Sequence, residues 1–248
     1  MVRSLRILTA FAILSLASLL LFVKPIPQPQ AYHLFADQRL LLATIPNTFN
    51  VTSNVTFVFA GLFGLFAVHG GRFLNRLERL DATVFFAGTI LTAVGSSIYH
   101  LHPEDVTLVY DRGGMIVAFV AFLAMIVHER FDAAPWLLPA LIVVGIGTIA
   151  WWRRFDDLRP YGWVQFFPIV AICIILTLEK PRYTAELPAL TAVACAYVLA
   201  KVFEMYDGSI YAATSHVVSG HTLKHLVAAC APGVVACWVR IRSVIDGN

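Results

Sequence analysis

Residues 95–114 read GSSIYHLHPEDVTLVYDRGG. Apolar sequence flanks both ends, and the polar residues collect in the middle. The stretch reads as the end of one helix, a turn at His102-Pro103-Glu104, and the start of the next helix. Proline removes a backbone donor and disfavours helix in the residue before it, so it fits such a turn. Residues four apart share a helix face, so Ser96 and His100 point the same way. Asp111 lies one turn into the following helix, facing back across the hairpin. Ionisable groups are costly in an apolar environment, so a hairpin that keeps them is read as a functional site.

The surrounding sequence makes that environment a membrane. The chain has 248 residues, of which 59% are hydrophobic and 13% charged. Soluble domains carry about 25% charged residues, roughly twice this share. About 20 apolar residues cross a bilayer as a helix. Eight segments approach that length, near 5–23, 51–70, 83–101, 107–127, 135–151, 161–178, 186–203 and 219–238. The expected fold is all-α, a polytopic transmembrane helical bundle with a seven-helix core and one extra N-terminal helix. The expected organisation is an N-terminal transmembrane helix or uncleaved signal anchor at 1–24, an extramembrane loop at 25–46, the core at 47–240 and a tail at 241–248. Arg3 and Arg6 precede the first apolar run as in a signal peptide, but no small-x-small cleavage site follows, so a retained helix is expected. The net charge of +3 is small, and no basic run is interleaved with aromatics, which argues against a nucleic-acid partner. No soluble partner is inferred. The four cysteines form no CxxC pair and read as small apolar packing residues.

Lys and Arg bias the loops between alternate helices, which places both termini on the cytoplasmic side. An up-and-down path then brings the 24–46 loop, the 101–106 turn and the 203–219 loop to the opposite face. The stretch SGHTLKHL, residues 219–226, begins the last helix there. His221 and His225 are one turn apart on one face, at the same depth as His100, Asp111 and Ser96. Zinc is bound catalytically by three protein ligands with one open position, and imidazole nitrogen suits it. An HxxxH pair plus one histidine from another helix supplies that set. Asp111 is placed to handle a metal-activated water as general base, and Ser96 to donate to a developing oxyanion. The arrangement is equipment for hydrolysing an acyl bond.

These residues resemble the CREST superfamily of seven-helix membrane proteins and, within it, the alkaline ceramidases. The family pattern is Ser-x3-His, ten residues, Asp, and a distant His-x3-His on the last helix. Here Ser96-x3-His100 is followed by ten residues to Asp111, and His221-x3-His225 opens the last helix. NTFNVTSN, ending at Asn54, is similar to the start of the ceramidase first core helix. The resemblance spans about residues 37–240 and leaves the helix at 5–23 outside it. It implies a zinc-dependent amidase whose partner is a membrane lipid of the N-acyl sphingoid type. His100, His221 and His225 would ligate the metal, Asp111 would handle water and Ser96 would donate a hydrogen bond. The family's calcium site would draw on Asp37 and Asn47. Its acidic Trp-containing run is missing here, and Arg39 follows close behind Asp37, so calcium is disfavoured. A receptor-like or regulatory member of the same superfamily, with structural zinc and little hydrolysis, is the alternative.

Other readings are weaker. Glu204 and Asp207 read as solvated loop carboxylates, with proton shuttling or histidine orientation as the alternative. Lys224 reads as a rim residue that snorkels or meets a headgroup. His128 and His69 read as interfacial, and His33 and His216 as loop residues without a signal. A b-type haem would need two facing histidines rather than three. A transporter would show inverted repeats with broken helices, and none is evident.

Overall fold

The computed structural model describes residues 2–40, 45–131 and 133–245; the 41–44 stretch of the expected loop and the last three residues of the expected tail lie outside it. Its helices are α1 (Val2–Phe22), α2 (Thr48–Ser53), α3 (Val55–Gly70), α4 (Arg76–Leu101), α5 (Asp105–Arg130), α6 (Leu137–Phe155), α7 (Arg159–Leu178), α8 (Glu186–Met205), α9 (Asp207–Ala213) and α10 (Gly220–Ile241). Among the described residues, eight helical spans are long and apolar enough to cross a membrane, with α2 and α3 together forming one of them. The chain is an all-α helical bundle of multi-pass membrane character.

Local chemistry sets the helix ends. The Asn75 side chain accepts from Glu78 N–H at 2.8 Å and starts α4. Glu104 and Thr107 form a capping box at the start of α5. Ser219 Oγ accepts from Thr222 N–H at 3.1 Å at the start of α10. The hairpin expected at 95–114 is the closest pairing in the bundle. A Cβ on Gly95 would meet Tyr110 O at 2.2 Å, and one on Gly114 would meet Thr92 N at 2.5 Å. Small residues therefore let α4 and α5 touch backbone to backbone, as membrane helices do.

Helices α3, α4 and α5 pack in sequence, α10 packs on α3 and α8, and α6 and α7 pack on α5. Helix α1 lies outside this set against α7. Trp163 Nε1 donates to Ser15 Oγ at 2.9 Å, and Arg159 donates to the carbonyls of Leu20 and Val23. Helices α7 and α8 are held apart by a cavity and linked by Gln165 Nε2 to Tyr197 OH at 3.4 Å.

Several boundaries differ from expectation. Helix α5 runs on through His128, Glu129 and Arg130, whose charges suggested a loop. All three are buried: His128 Nδ1 lies 2.6 Å from Asp81, and Arg130 pairs with Glu129 and Glu186. His128 is therefore a core residue rather than an interfacial one. Arg242 Nη2 donates to Glu78 at 2.5 Å in the same buried group, and Tyr183 OH donates to Glu78 at 2.8 Å. Charged residues stayed in helix there because they satisfy one another. The expected helix at 51–70 starts earlier and hitches at Asn54, where N–H groups bond three residues back. The expected 203–219 loop contains α9. The four cysteines are free and exposed on helix faces rather than packed inside.

Candidate metal centre

The end of α4 carries His100, and the start of α10 carries His221 and His225. All three are buried. One candidate ligand atom from each lies within 4.8 Å of the others, so the group could hold a metal ion. His100 Nε2 and His225 Nε2 face each other at 3.3 Å. Two nitrogens on a tetrahedron with bonds of about 2.05 Å are separated by about 3.3 Å. His221 Nε2 is buried with no hydrogen-bond partner. A buried polar atom without a partner is costly, and a cation among the three rings would satisfy it.

The tautomer of His225 follows from its neighbour. Ser53 Oγ donates to Asn50 O at 3.1 Å and lies 2.8 Å from His225 Nδ1. With its proton committed to the carbonyl, the Ser53 oxygen accepts from Nδ1–H. That leaves the Nε2 lone pair of His225 free for a cation, the orientation that outer hydrogen bonds impose on metal-binding histidines. The residues present fit a metal.

Asp111 and Ser96 are also buried. Both line one cavity together with His225. This cavity has a volume of about 700 Å³. Its polar end also carries Lys224 and Glu204, and its far end is walled by Phe85, Phe122, Leu187 and Leu190. Leu187 to Glu204 covers about 25 Å of helix α8 at ~1.5 Å per residue. The space is long, mostly apolar and polar at one end.

The 33–40 segment covers the other side of the histidines. The Phe35 ring sits 4.6 Å from the His100 ring and 4.7 Å from the His221 ring. Asp207 ties that segment to α10: its oxygens accept from His221 N–H at 2.7 Å and from Ala36 N–H at 3.0 Å.

No family model matches this chain, and no curated protein matches it.

Of the residues singled out as catalytic or ligating, His100, His221 and His225 are thus brought together, and Ser96 and Asp111 line one cavity with His225. His102 is exposed and is not a member. Asp37 and Asn47 each have protein partners. Both Asp37 oxygens are held by Arg39, at 2.8 and 2.6 Å, and Asn47 Nδ2 donates to His100 O at 2.9 Å. Asn47 instead fixes the end of α4. Glu204 and Asp207 are not solvated loop carboxylates. Glu204 is held by Lys201 and Lys224, and Asp207 caps α10. Lys224 is half-buried at the cavity rather than at an open rim. His33 also has partners, Tyr99 OH at 2.9 Å and Asp105 at 3.1 Å. Ser53 escaped notice as a partner of His225 although it lies in the NTFNVTSN stretch, because small hydroxyls are common in membrane helices.

Proposed function

We propose that this chain is a zinc-dependent intramembrane amidase that hydrolyses the N-acyl bond of ceramide-like lipids to a fatty acid and a sphingoid base. One observation carries the reading: three buried histidines cluster, and one of them, His225, lines the polar end of a long apolar cavity together with the Asp111 carboxylate and the Ser96 hydroxyl. The Ser-x3-His, Asp and His-x3-His spacing, similar to that of the alkaline ceramidases, agrees with it. A two-chain lipid suits such a space, with its amide at the polar end and its acyl chain between helices.

Zinc, when bound, supplies Lewis-acid polarisation and lowers the pKa of a bound water to about 7. His100, His221 and His225 would hold it, with Ser53 orienting His225. Asp111 accepts the proton of the attacking water. Ser96 donates to the carbonyl oxygen as negative charge develops on it. The water oxygen bonds to the carbonyl carbon and the C–N bond breaks. Asp111 returns its proton to the departing amine, leaving a carboxylic acid and a free amine. Eight crossings put the two described ends of the chain on one side; the loop charge bias makes that side cytoplasmic and puts the metal site near the other face.

The test is zinc content and fatty-acid release from ceramide, measured on protein purified in detergent. About one zinc per chain is expected in the wild type, with both zinc and turnover lost in His221→Ala. Asp111→Asn should keep its zinc and lose turnover by a factor on the order of 10² or more. Unchanged turnover in His221→Ala, or no zinc in the wild type, overturns the reading.

A further inference from the structure

The cavity has a second polar feature that hydrolysis does not use. Arg112 follows Asp111 on α5, is 5% exposed and lines the cavity wall. Its guanidinium lies 4.1 Å from the Trp152 ring centre and 4.6 Å from that of Tyr161. Nη2 donates to Gln28 Oε1 at 2.5 Å. Nη1 is buried with no hydrogen-bond partner.

The other deeply buried arginines differ. Arg130 pairs with Glu129 and Glu186, and Arg242 pairs with Glu78. Arg112 has no carboxylate partner among the described residues. Asp111, its neighbour in sequence, makes no ion pair with it, and the charge of Asp111 is shared with Lys224. Across the cavity, Glu204 is shared by Lys201 and Lys224, so it has no charge to spare for Arg112. Arg112 thus leaves uncompensated positive charge and two unused N–H donors at the polar end. Burying a cation so is expensive unless a counter-charge arrives. The guanidinium fork fits an oxyanion such as a phosphate or carboxylate.

We propose that Arg112, oriented by Gln28 and flanked by Trp152 and Tyr161, is a subsite for the oxyanion of an anionic lipid headgroup. The inference rests on reading the cavity as a lipid site. It adds to the ceramide-like substrates N-acyl lipids that carry a phosphate or carboxylate near the amide, and predicts that the anionic ones bind more tightly. A lipid is favoured over a free anion because the wall beyond Arg112 is apolar for most of its length, and a small hydrophilic anion gains nothing there.

The test is equilibrium binding to metal-stripped full-length protein, so that it stands apart from hydrolysis. The probes are hexadecyl phosphate, hexadecanol and inorganic phosphate. A charge-assisted contact predicts that hexadecyl phosphate binds at least about tenfold more tightly than hexadecanol. In Arg112→Gln the two should bind within about twofold of each other. Gln28→Glu guards against misfolding of that variant: it leaves the stacked arginine in place, sets a carboxylate on it, and should close the gap as well. Equal binding of the two amphiphiles by the wild type, or a gap that survives in Gln28→Glu, overturns the proposal. So does inorganic phosphate competing at the same concentration as hexadecyl phosphate, since that marks a free-anion site. A missing hydrolytic activity would leave these binding results standing and count only against the amidase reading.

Discussion

Ser53 on α2 and His225 on α10 are 172 residues apart and meet at 2.8 Å. The contact fixes which imidazole nitrogen of His225 can receive a metal. Ser53→Ala removes the acceptor for Nδ1–H while leaving all three histidines in place. Metal affinity should fall by about 10- to 100-fold, as it does when outer hydrogen bonds to ligands are lost. Competition with a graded series of chelators measures this. An affinity equal to the wild type would show that Ser53 plays no part in orienting the ring.

The α4–α5 contact at Gly95 makes a second prediction. An added methyl group there would sit 2.2 Å from Tyr110 O, against backbone rather than a movable side chain. Gly95→Ala should push the helices apart and cost about 1–3 kcal/mol of stability. Because Ser96 and Asp111 are the adjacent residues, turnover should fall further than stability alone explains. Thermal unfolding and ceramide turnover measured side by side separate the two effects.

Acid should loosen the junction between α1 and the rest of the bundle. Asp157, in the loop between α6 and α7, accepts from Arg159, from Trp151 Nε1 at 3.2 Å and from Ile26 N–H at 3.4 Å. The Arg159 hydrogen bonds hold its carboxyl well below the usual carboxylate value, and burial opposes them only in part. A depressed folded-state pKa gives stability that is present above the unfolded value, about pH 3.9, and is lost as pH falls through the folded value. Proteolysis of the 23–29 segment should therefore be flat from neutral pH to about pH 4 and rise only below it. In Asp157→Asn the rise with acid should disappear, and cleavage should already be faster at neutral pH.

At the opposite face the buried ionic group should behave as a unit. Arg242→Met strands the Glu78 carboxylate in a dry site and should cost about 3–5 kcal/mol. The group lies roughly 25 Å along α10 from His225, counting ~1.5 Å per residue. Metal content per folded molecule should therefore stay unchanged while the unfolding temperature drops. Loss of metal at unchanged stability would contradict this separation.

Most of the architecture was legible because lipid imposes long apolar runs, and eight such runs stand out between polar breaks. The histidine group was legible because Ser96–His100 and His221–His225 repeat the four-residue spacing of one helix face. What escaped notice depends on partners distant in sequence. Glu129 and Arg130 looked like loop residues because their charges are balanced by Glu186 and Arg242, 56 or more positions away. Glu204 and Asp207 looked solvated because nothing local shows that Lys224 and the α10 backbone receive them. Ser53 and Gln28 carry no periodic signal at all; each matters through one contact with another helix.

Phe35 stands over two of the three histidines, and Asp207 fastens its segment to α10. A hydrophilic chelator arriving from the aqueous side therefore meets an aromatic stopper before it meets the metal. Removal of an ion bound there would require that segment to move first, so release toward water would depend on the loop as well as on the metal's own bonds. The cavity reaches His225 from the other side, past no such aromatic cover. An ion held there would be shielded from water on one side and open to the cavity on the other.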